Sequence, residues 1–402
     1  MRILVLSTTG HPEANLESAR YFIENKSIID KITVLSTTYM DQQGKTDLLV
    51  QSLKLISQAT IEILNIPNGY EESNMFAIQE MILDWANQHP AKDRFIFNTT
   101  GGTKLMSIAM DRASMLLGSA RAESFYQSRG QQVVWYQRQT NQIVYPINSN
   151  LNLQQRVLSR GYQITKQQPI TDISLEQLRY AQILIDVMKN DFQKGRRFCS
   201  FINKLASMSD DENSLNVRFD NIQAEQAEGL EVLAQITQEA FFSFDSTSSV
   251  IQFKSEQTRE YMKGGWLEVY SGYECYKALI GLNPQAELAI NVELKKKDTP
   301  NEMDVMFIHH AHLYCIECKT AKTMAHEQAK DVLYKLSSLQ DFGGINQKQA
   351  VVSLYSLKDY NLTRANNSEI RIFQERDLLN LSQLISEWLQ PKSINISQGI
   401  SL

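Results

Sequence analysis

Phe95-Ile-Phe-Asn-Thr-Thr-Gly-Gly-Thr-Lys104 runs from a short apolar strand pattern straight into a helical one. The helix is read from apolar positions Leu105, Ile108, Ala109, Ala113, Leu116 and Leu117, with Gly118 where a C-cap belongs. Strand, glycine turn and helix in that order make half of a parallel crossover unit. The same order recurs upstream. Ile3-Leu-Val-Leu6, Ile32-Thr-Val-Leu35 and Ile61-Glu-Ile-Leu64 each precede an amphipathic stretch, around 15–24, 45–58 and 74–88. Strands alternating with helices predict an open α/β sheet of the Rossmann type. Ser124 to Gln127, Val133 to Tyr136 and Ile143 to Ile147 then follow one another with only turn-like Arg129-Gly130 and Thr140-Asn141 between them. They should extend the sheet without further helices.

Three of these strands end in one chemistry: Val5-Leu-Ser-Thr-Thr9, Val34-Leu-Ser-Thr-Thr38 and Asn98-Thr-Thr100. Open parallel sheets bind ligands beyond the carboxyl ends of their strands, at the point where strand order reverses. The candidate ligand set is therefore Ser7, Thr8, Thr9, Thr37 and Thr38, with Asn98, Thr99, Thr100, Gly101, Gly102, Thr103 and Lys104. It offers hydroxyls, an amide, an ammonium and the amides of a helix start, and no carboxylate, so the implied ligand carries phosphate. Simple packing could also explain each piece taken alone. Neither Gly-x-x-x-x-Gly-Lys-[Ser/Thr] nor Gly-x-Gly-x-x-Gly occurs here, so ATP hydrolysis and hydride transfer lose support.

The chain has 402 residues with 40 basic and 45 acidic side chains, a net charge of −5, which argues against a basic nucleic-acid coat. Its length implies two or three domains, and 43% hydrophobic with 21% charged residues is ordinary globular composition. With 17 glycines and 8 prolines, flexible linkers are not expected. Cys199, Cys275, Cys315 and Cys318 are too few for a disulfide scaffold, and no apolar run nears the roughly 18 residues of a membrane helix. The N-terminus lacks a signal-peptide layout, and a cytoplasmic protein is expected.

We divide the chain into a Rossmann-like ligand-binding domain over 1–160, a connector over 161–255 and a second α/β domain over 256–402. In the connector, Ser174-Leu-Glu-Gln177 reads as a capping box opening a helix to about Phe192, and further helices are read near 197–207 and 222–238. Ala240 to Asp245 and Ser249 to Phe253 read as a two-stranded hairpin, which together would make a small winged-helix-like module. Lys194, Arg196 and Arg197 could touch phosphate there or could simply face solvent. From 255 a long helix leads to strands at 286–294, 302–309 and 312–319, a helix at 325–340, and strands near 350–356 and 370–374.

The strongest chemical signal lies in Asn301-Glu-Met-Asp304 and Ile316-Glu-Cys-Lys319. A hairpin turning at His310-Ala311 would set Asp304 opposite Glu317, with their Cβ atoms about 5 Å apart. Alternation places Leu313, Cys315, Glu317 and Lys319 on one face, so Lys319 lies beside the carboxylates. Opposed like charges cost stability unless a cation with oxygen ligands sits between them, for which Mg²⁺ or Mn²⁺ is suited. Glu268, in Gly264-Gly-Trp-Leu-Glu268 on the preceding helix, adds a third carboxylate. Zinc held by Cys315 and Cys318 with His309, His310 and His312 is disfavoured, because a spacing of three puts the two thiols on opposite strand faces.

Taken together, Asn98-Thr-Thr-Gly-Gly-Thr-Lys104, Gly265-Trp-Leu-Glu268, Glu302-Met-Asp304 and Glu317-Cys-Lys319 resemble a CRISPR-associated Rossmann fold (CARF) sensor joined to a PD-(D/E)xK restriction-endonuclease-like domain. That order is similar to the Can/Card family of type III CRISPR defence, and the likeness spans nearly the whole chain. Glu-Met-Asp replaces the family's Pro-Asp, and Gln328 and Tyr334 do not fit the Gln-x-x-x-Tyr extension of some relatives. The resemblance implies a homodimer that binds a cyclic oligoadenylate, cyclic tetra-adenylate being the expected ring, across the sensor pair. It also implies a metal site of Asp304, Glu317 and the Cys318 carbonyl, with Glu268 in its outer shell or on a second ion. Lys319 would orient the attacking water or stabilise charge on phosphorus, and the reaction would be phosphodiester hydrolysis in DNA or RNA. The rival reading is a ligand-responsive, non-catalytic DNA-binding regulator that uses the winged-helix-like module.

Overall fold

The near-unbroken apolar runs of the N-terminal strands require burial on both faces, and the computed structural model shows how that is met. It describes the chain apart from residues 11, 26–28, 128–131, 137–142, 147–150, 212–213, 220–221, 284–285, 311, 326–328, 340–346 and 391–402. The first sheet contains β1 (Arg2–Ser7), β2 (Lys31–Thr37), β3 (Thr60–Ile66), β4 (Arg94–Asn98), β5 (Ala122–Gln127), β6 (Gln132–Tyr136) and β7 (Ile143–Pro146). Their order is β3-β2-β1-β4-β5-β6-β7, parallel through β5 and antiparallel beyond it. β5 is parallel because it returns from a helix; β6 and β7 each start within a few residues of the preceding strand and pair as antiparallel neighbours.

The helices of this domain are α1 (Glu13–Asn25), α2 (Thr38–Gln42), α3 (Lys45–Ile56), α4 (Tyr70–Ser73), α5 (Met75–Asn87) and α6 (Lys104–Leu117). Leu4, Leu6, Ile32 and Val34 pack with Leu16 of α1 and Leu49 and Leu53 of α3. Ile3, Val5, Phe95 and Phe97 face the other way, toward Ile82 of α5 and Met110 of α6. Alternation along each strand thus feeds two separate cores, and the strand ends are left to line the crevice between β1 and β4.

Beyond the first sheet comes a short helix, α7 (Leu153–Leu158), closed at its start by a capping box from Asn152 and Gln155. The connector begins differently from the expectation. Residues 163–169 form β8 (Gln163–Pro169), which pairs with the second sheet and is its edge strand. Next come α8 (Leu175–Asn190), α9 (Phe192–Asp211), β9 (Asn216–Arg218), α10 (Ala224–Ile236), β10 (Phe242–Asp245) and β11 (Val250–Phe253). The small sheet has three strands in the order β10-β11-β9, because Asn216 to Arg218 adds to the expected hairpin.

The helix expected from 255 is broken into α11 (Glu256–Glu260), a π-type turn at Tyr261–Gly265, and α12 (Trp266–Ile280). There follow β12 (Leu288–Lys296), β13 (Thr299–His309), β14 (His312–Lys319), α13 (Ala329–Ser338), β15 (Gln347–Ser353), α14 (Asp359–Asn367), β16 (Ile370–Gln374) and α15 (Leu381–Leu389). The second sheet runs β16-β15-β14-β13-β12-β8, with parallel pairs among β14, β15 and β16 and antiparallel ones elsewhere. On one face, Phe307 and Ile316 share a core with Trp266, Phe373 and Ile385, and with Tyr180, Leu184 and Cys199 of the connector. The connector is therefore welded to this sheet by a common core. On the other face, Met306, Leu313 and Cys315 pack against Leu333 and Leu336 of α13 and Leu153 and Val157 of α7.

Candidate active site and ligand crevice

β13 and β14 pair from Val305↔Ile316 to His309↔His312, the register inferred from the sequence, so Asp304 and Glu317 flank the last bonded pair. His310 makes the turn with φ +47°, while Ala311 lies outside the described residues. Asp304 also sits at an interruption that the alternation pattern does not disclose. Ile290 and Val292 lie in different cores, as do Val305 and Met303, and between them Asn291 takes φ +51°. Asparagine tolerates this left-handed conformation, and the resulting local turn-over re-aims the strand beside Asp304.

The carboxyl of Asp304 is buried, and its Oδ2 accepts the Cys318 N–H at 2.5 Å. Lys319 Nζ lies 2.7 Å from Glu317 Oε1 and 3.8 Å from Asp304 Oδ2. Gly264 packs against Thr320, which brings the first turn of α12, and Glu268 with it, to the end of β14. Burial, then the Asp304 charge, pushes Glu268 up to about 8, and burial with the Glu317 charge pushes Asp304 up to about 7. Burial works against the Lys319 charge, but Asp304 and Glu317 outweigh it and hold its proton more firmly than usual. The site is thus a strained set of carboxyls answered by lysine.

Lys335 of α13 was not among the residues singled out in the sequence. Its Nζ lies 3.1 Å from both Oε1 and Oε2 of Glu317. The signal for it would have been a lysine on the helix crossing over the Glu-x-Lys face, which only the packing of α13 reveals. Tyr334 points elsewhere, under Arg364 at 5.0 Å, and Gln328 lies outside the described residues.

Among the described residues, no three Asp, Glu, His or Cys side chains converge as a ready set of metal ligands. The donor chemistry nonetheless suits a hard divalent cation: Asp304, Glu317 and the Cys318 carbonyl are oxygen donors, and a cation would relieve the burial and mutual repulsion that raise the Asp304 and Glu268 carboxyls. The contacts such an ion would replace are those to the lysines. Cys315 and Cys318 belong to cores on opposite faces of the sheet.

At the other end of the chain, several predicted ligand residues turn out to build the crevice instead of lining it. Asn98 is buried and donates to Asn15 Oδ1 at 3.0 Å and Ser18 Oγ at 2.9 Å, while its own Oδ1 accepts the Thr100 N–H. Thr99 donates its hydroxyl to the Phe125 carbonyl, and Thr8 lies buried beside Thr46. Thr37 caps α2 and Thr103 caps α6. Ser7 is buried beneath the glycines: a Cβ on Gly102, whose φ is +83°, would meet Ser7 Oγ at 2.8 Å, and one on Gly101 would stand 3.1 Å from the Ser7 carbonyl. A Thr-rich strand end satisfies its own backbone first, which the motif alone cannot show. Thr38, Gly102 and Lys104 are exposed, and Thr9, Thr100 and Thr103 are half-buried.

Comparison with known proteins agrees with both halves. The model for the Card1 CARF domain matches residues 12–156, and that for the Card1-like endonuclease domain matches residues 255–391. The chain belongs to the Can/Card CARF nucleases. Protein VC1899 from Vibrio cholerae superposes with a TM-score of 0.80 at 18% identity, over 96% of this chain and 98% of its own. Can2 from Sulfobacillus thermosulfidooxidans, in complex with cyclic tetra-adenylate, gives 0.74 at 18% identity, over 97% and 100%. A type III CRISPR defence DNA nuclease activated by cyclic oligoadenylate gives 0.52 at 12% identity, over 89% of this chain and 47% of that one. At such identities the likeness is one of fold. No curated protein matches in sequence.

In this CARF nuclease a chain of contacts runs from the crevice to the core under the second sheet. The Gln127 N–H donates to Thr100 Oγ1 at 2.7 Å, and Gln127 Nε2 donates to Glu17 Oε2 at 2.8 Å. Glu17 pairs with Arg156 of α7, both side chains being 1% exposed. Arg160, just beyond α7, donates to the Gly10 carbonyl at the end of the β1 loop. Through Leu153 and Val157, α7 then packs on the core under Met303, Met306 and Cys315. Two of the three cations considered for a DNA-binding connector are otherwise engaged: Lys194 pairs with Glu225, and Arg196 lies 2.6 Å from Glu375 and over the Tyr355 ring, while Arg197 is exposed. Among the described residues, no helix of the CARF nuclease is long and apolar enough to cross a membrane.

Proposed function

We propose that this chain is a cytoplasmic, homodimeric endonuclease that hydrolyses phosphodiesters of DNA or RNA with Mg²⁺ or Mn²⁺ when its CARF domain holds a cyclic oligoadenylate. The observation that carries it is one cluster, buried Asp304 and Glu317 with half-buried Lys319 and Glu268, on a chain whose other half is a CARF domain. Asp304, Glu317 and the Cys318 carbonyl would hold the cation, with Glu268 in its outer shell or on a second ion. A divalent cation, when bound, supplies a lowered pKa for a coordinated water and charge neutralisation on the phosphate. Lys319, kept protonated by its two carboxylates, orients that water or stabilises charge on phosphorus. The opposed carboxylates are hard to explain in a mere scaffold, since like charges without a function cost stability.

Cyclic tetra-adenylate is the activator we favour, in keeping with the ring bound to the structurally similar Can2. Its phosphates would meet Lys104 and the backbone of Gly101, Gly102 and Thr103 at the start of α6, with Thr9 and Thr38 reading the rim. A ring with rotational symmetry suits a two-fold pair of sensors. The test is cleavage of labelled DNA and RNA with Mn²⁺ or Mg²⁺, with and without cyclic tetra- or hexa-adenylate. Cleavage that needs both metal and ring, and that Glu317→Gln abolishes, is expected. Ring binding with no cleavage under any metal would overturn the catalytic reading.

A further inference from the structure

Two ammonium groups share one buried carboxylate in the proposed active site, and only one of them belongs to the Glu-x-Lys motif. Glu317 is 3% exposed, whereas the side chains of Lys319 and Lys335 are 32% and 39% exposed. Both lysines therefore stand between the carboxylate and solvent, on the side from which a polyanion must approach. They are not equivalent. Lys319 comes from the same strand and also faces Asp304 at 3.8 Å. Lys335 comes from a separate helix, and its contact at this site is with the two oxygens of Glu317, each at 3.1 Å.

α13 is anchored from beneath, with Ala329, Leu333 and Leu336 buried in the core that includes Leu313 and Cys315. Its backbone is held while the Lys335 stem reaches along the surface, so the ammonium can change partner without moving the helix. A cation taking an oxygen of Glu317 would come within about 4 Å of that ammonium, a repulsion worth several kT at the dielectric of a protein surface. Lys335 must then leave Glu317 at least in part. A freed ammonium at the mouth of a phosphodiester-cleaving site is placed to pair with a backbone phosphate.

We propose that Lys335 is a substrate-positioning residue that exchanges partners, covering Glu317 in the metal-free protein and holding a non-bridging oxygen of a nucleic-acid phosphate in the working one. This rests on the nuclease reading above. It predicts three effects of Lys335→Met that a structural clamp would not produce together. Without nucleic acid, the full-length variant should bind Mn²⁺ about 3- to 10-fold more tightly by calorimetry, since a competing cation has been removed. In cleavage assays with the activator present, KM should rise roughly tenfold with kcat much less changed. The slope of log KM against log salt should fall by about 0.7–0.9, the loss of one phosphate contact. Lys335→Arg should restore the salt slope and keep Mn²⁺ affinity near the wild-type value.

Weaker or unchanged Mn²⁺ binding by Lys335→Met would overturn the exchange. An unchanged salt slope would overturn the phosphate contact. If Lys335→Met does not fold, as judged by circular dichroism, Lys335→Gln serves both measurements. The nuclease reading fails separately: wild-type protein that cleaves nothing sinks it, while the Mn²⁺ comparison still decides whether Lys335 competes for Glu317.

Discussion

At pH 7 the metal-free nuclease site should carry more than one proton that it must give up to hold a divalent cation. Glu268 is pushed up to about 8 and Asp304 to about 7, and the two titrate as a unit, so the measurable quantity is their joint release, more than one proton at pH 7 and almost none at pH 9. Calorimetric titration with Mn²⁺ in two buffers of different ionisation enthalpy reads that number directly. Glu268→Gln should lower the release at pH 7 clearly. The metal-free protein should show the same groups in its stability. Both folded values lie above the ordinary 4.5 and 3.8, so their contribution is fully present below about pH 4 and is lost as pH rises through about 7 to 8. Between pH 5 and 9 the metal-free wild type should lose a few kcal/mol relative to Glu268→Gln, and saturating Mn²⁺ should remove that slope. Release of no protons at pH 7, or release unaltered by Glu268→Gln, would refute the argument that burial and mutual repulsion hold these carboxyls protonated.

Asp304→Asn and Glu317→Gln should each cut cleavage by at least roughly a thousandfold; Asp304→Asn relieves repulsion and should not lower the melting temperature, whereas Glu317→Gln also strips the shared partner of Lys319 and Lys335 and should lower it slightly, and thermal denaturation and rate measurements check the two halves. Glu17→Gln removes a carboxylate partner from buried Arg156, so it should lower stability in urea unfolding and raise the activator concentration for half-maximal cleavage. Gly102→Ala forces a Cβ into φ +83° and against Ser7 Oγ, so a loss of about 1–2 kcal/mol is expected in the same unfolding assay. Lys104→Ala should shift the activator titration to higher concentration and leave Mn²⁺ binding at its wild-type value, since Lys104 lies in the other domain.

Much of the candidate nuclease site was legible because its residues lie close together on a hairpin. Strand alternation and a tight turn are local rules, and they suffice to place Asp304 beside Glu317 and Lys319 on the same face. Glu268 was legible as a residue of a helix start but not as a neighbour, since the break at Tyr261–Gly265 that aims it depends on how Gly264 meets Thr320. Lys335 was illegible for a related reason. Nothing within a few residues of it refers to Glu317, and only the docking of α13 onto that face of the sheet makes them partners.

In the sensor half, the sequence by itself determined the order of strands and helices and the chemistry of the strand ends, because apolar runs, helical periods and glycine turns act over a few residues. Which Thr and Asn side chains face the crevice was decided by the tertiary structure. Asn98, Thr99 and Thr8 turn inward because helix α1, strand β5 and helix α3 bring them partners from distant segments. β8 could not be assigned to the second sheet from its own polar sequence, since an edge strand needs only a neighbour with free hydrogen bonds, and that neighbour, β12, comes more than a hundred residues later. The pair Glu17–Arg156 has the same character. A charged residue on an amphipathic helix reads as solvated until another helix closes over it, and burial is a property of the assembled layers rather than of either helix.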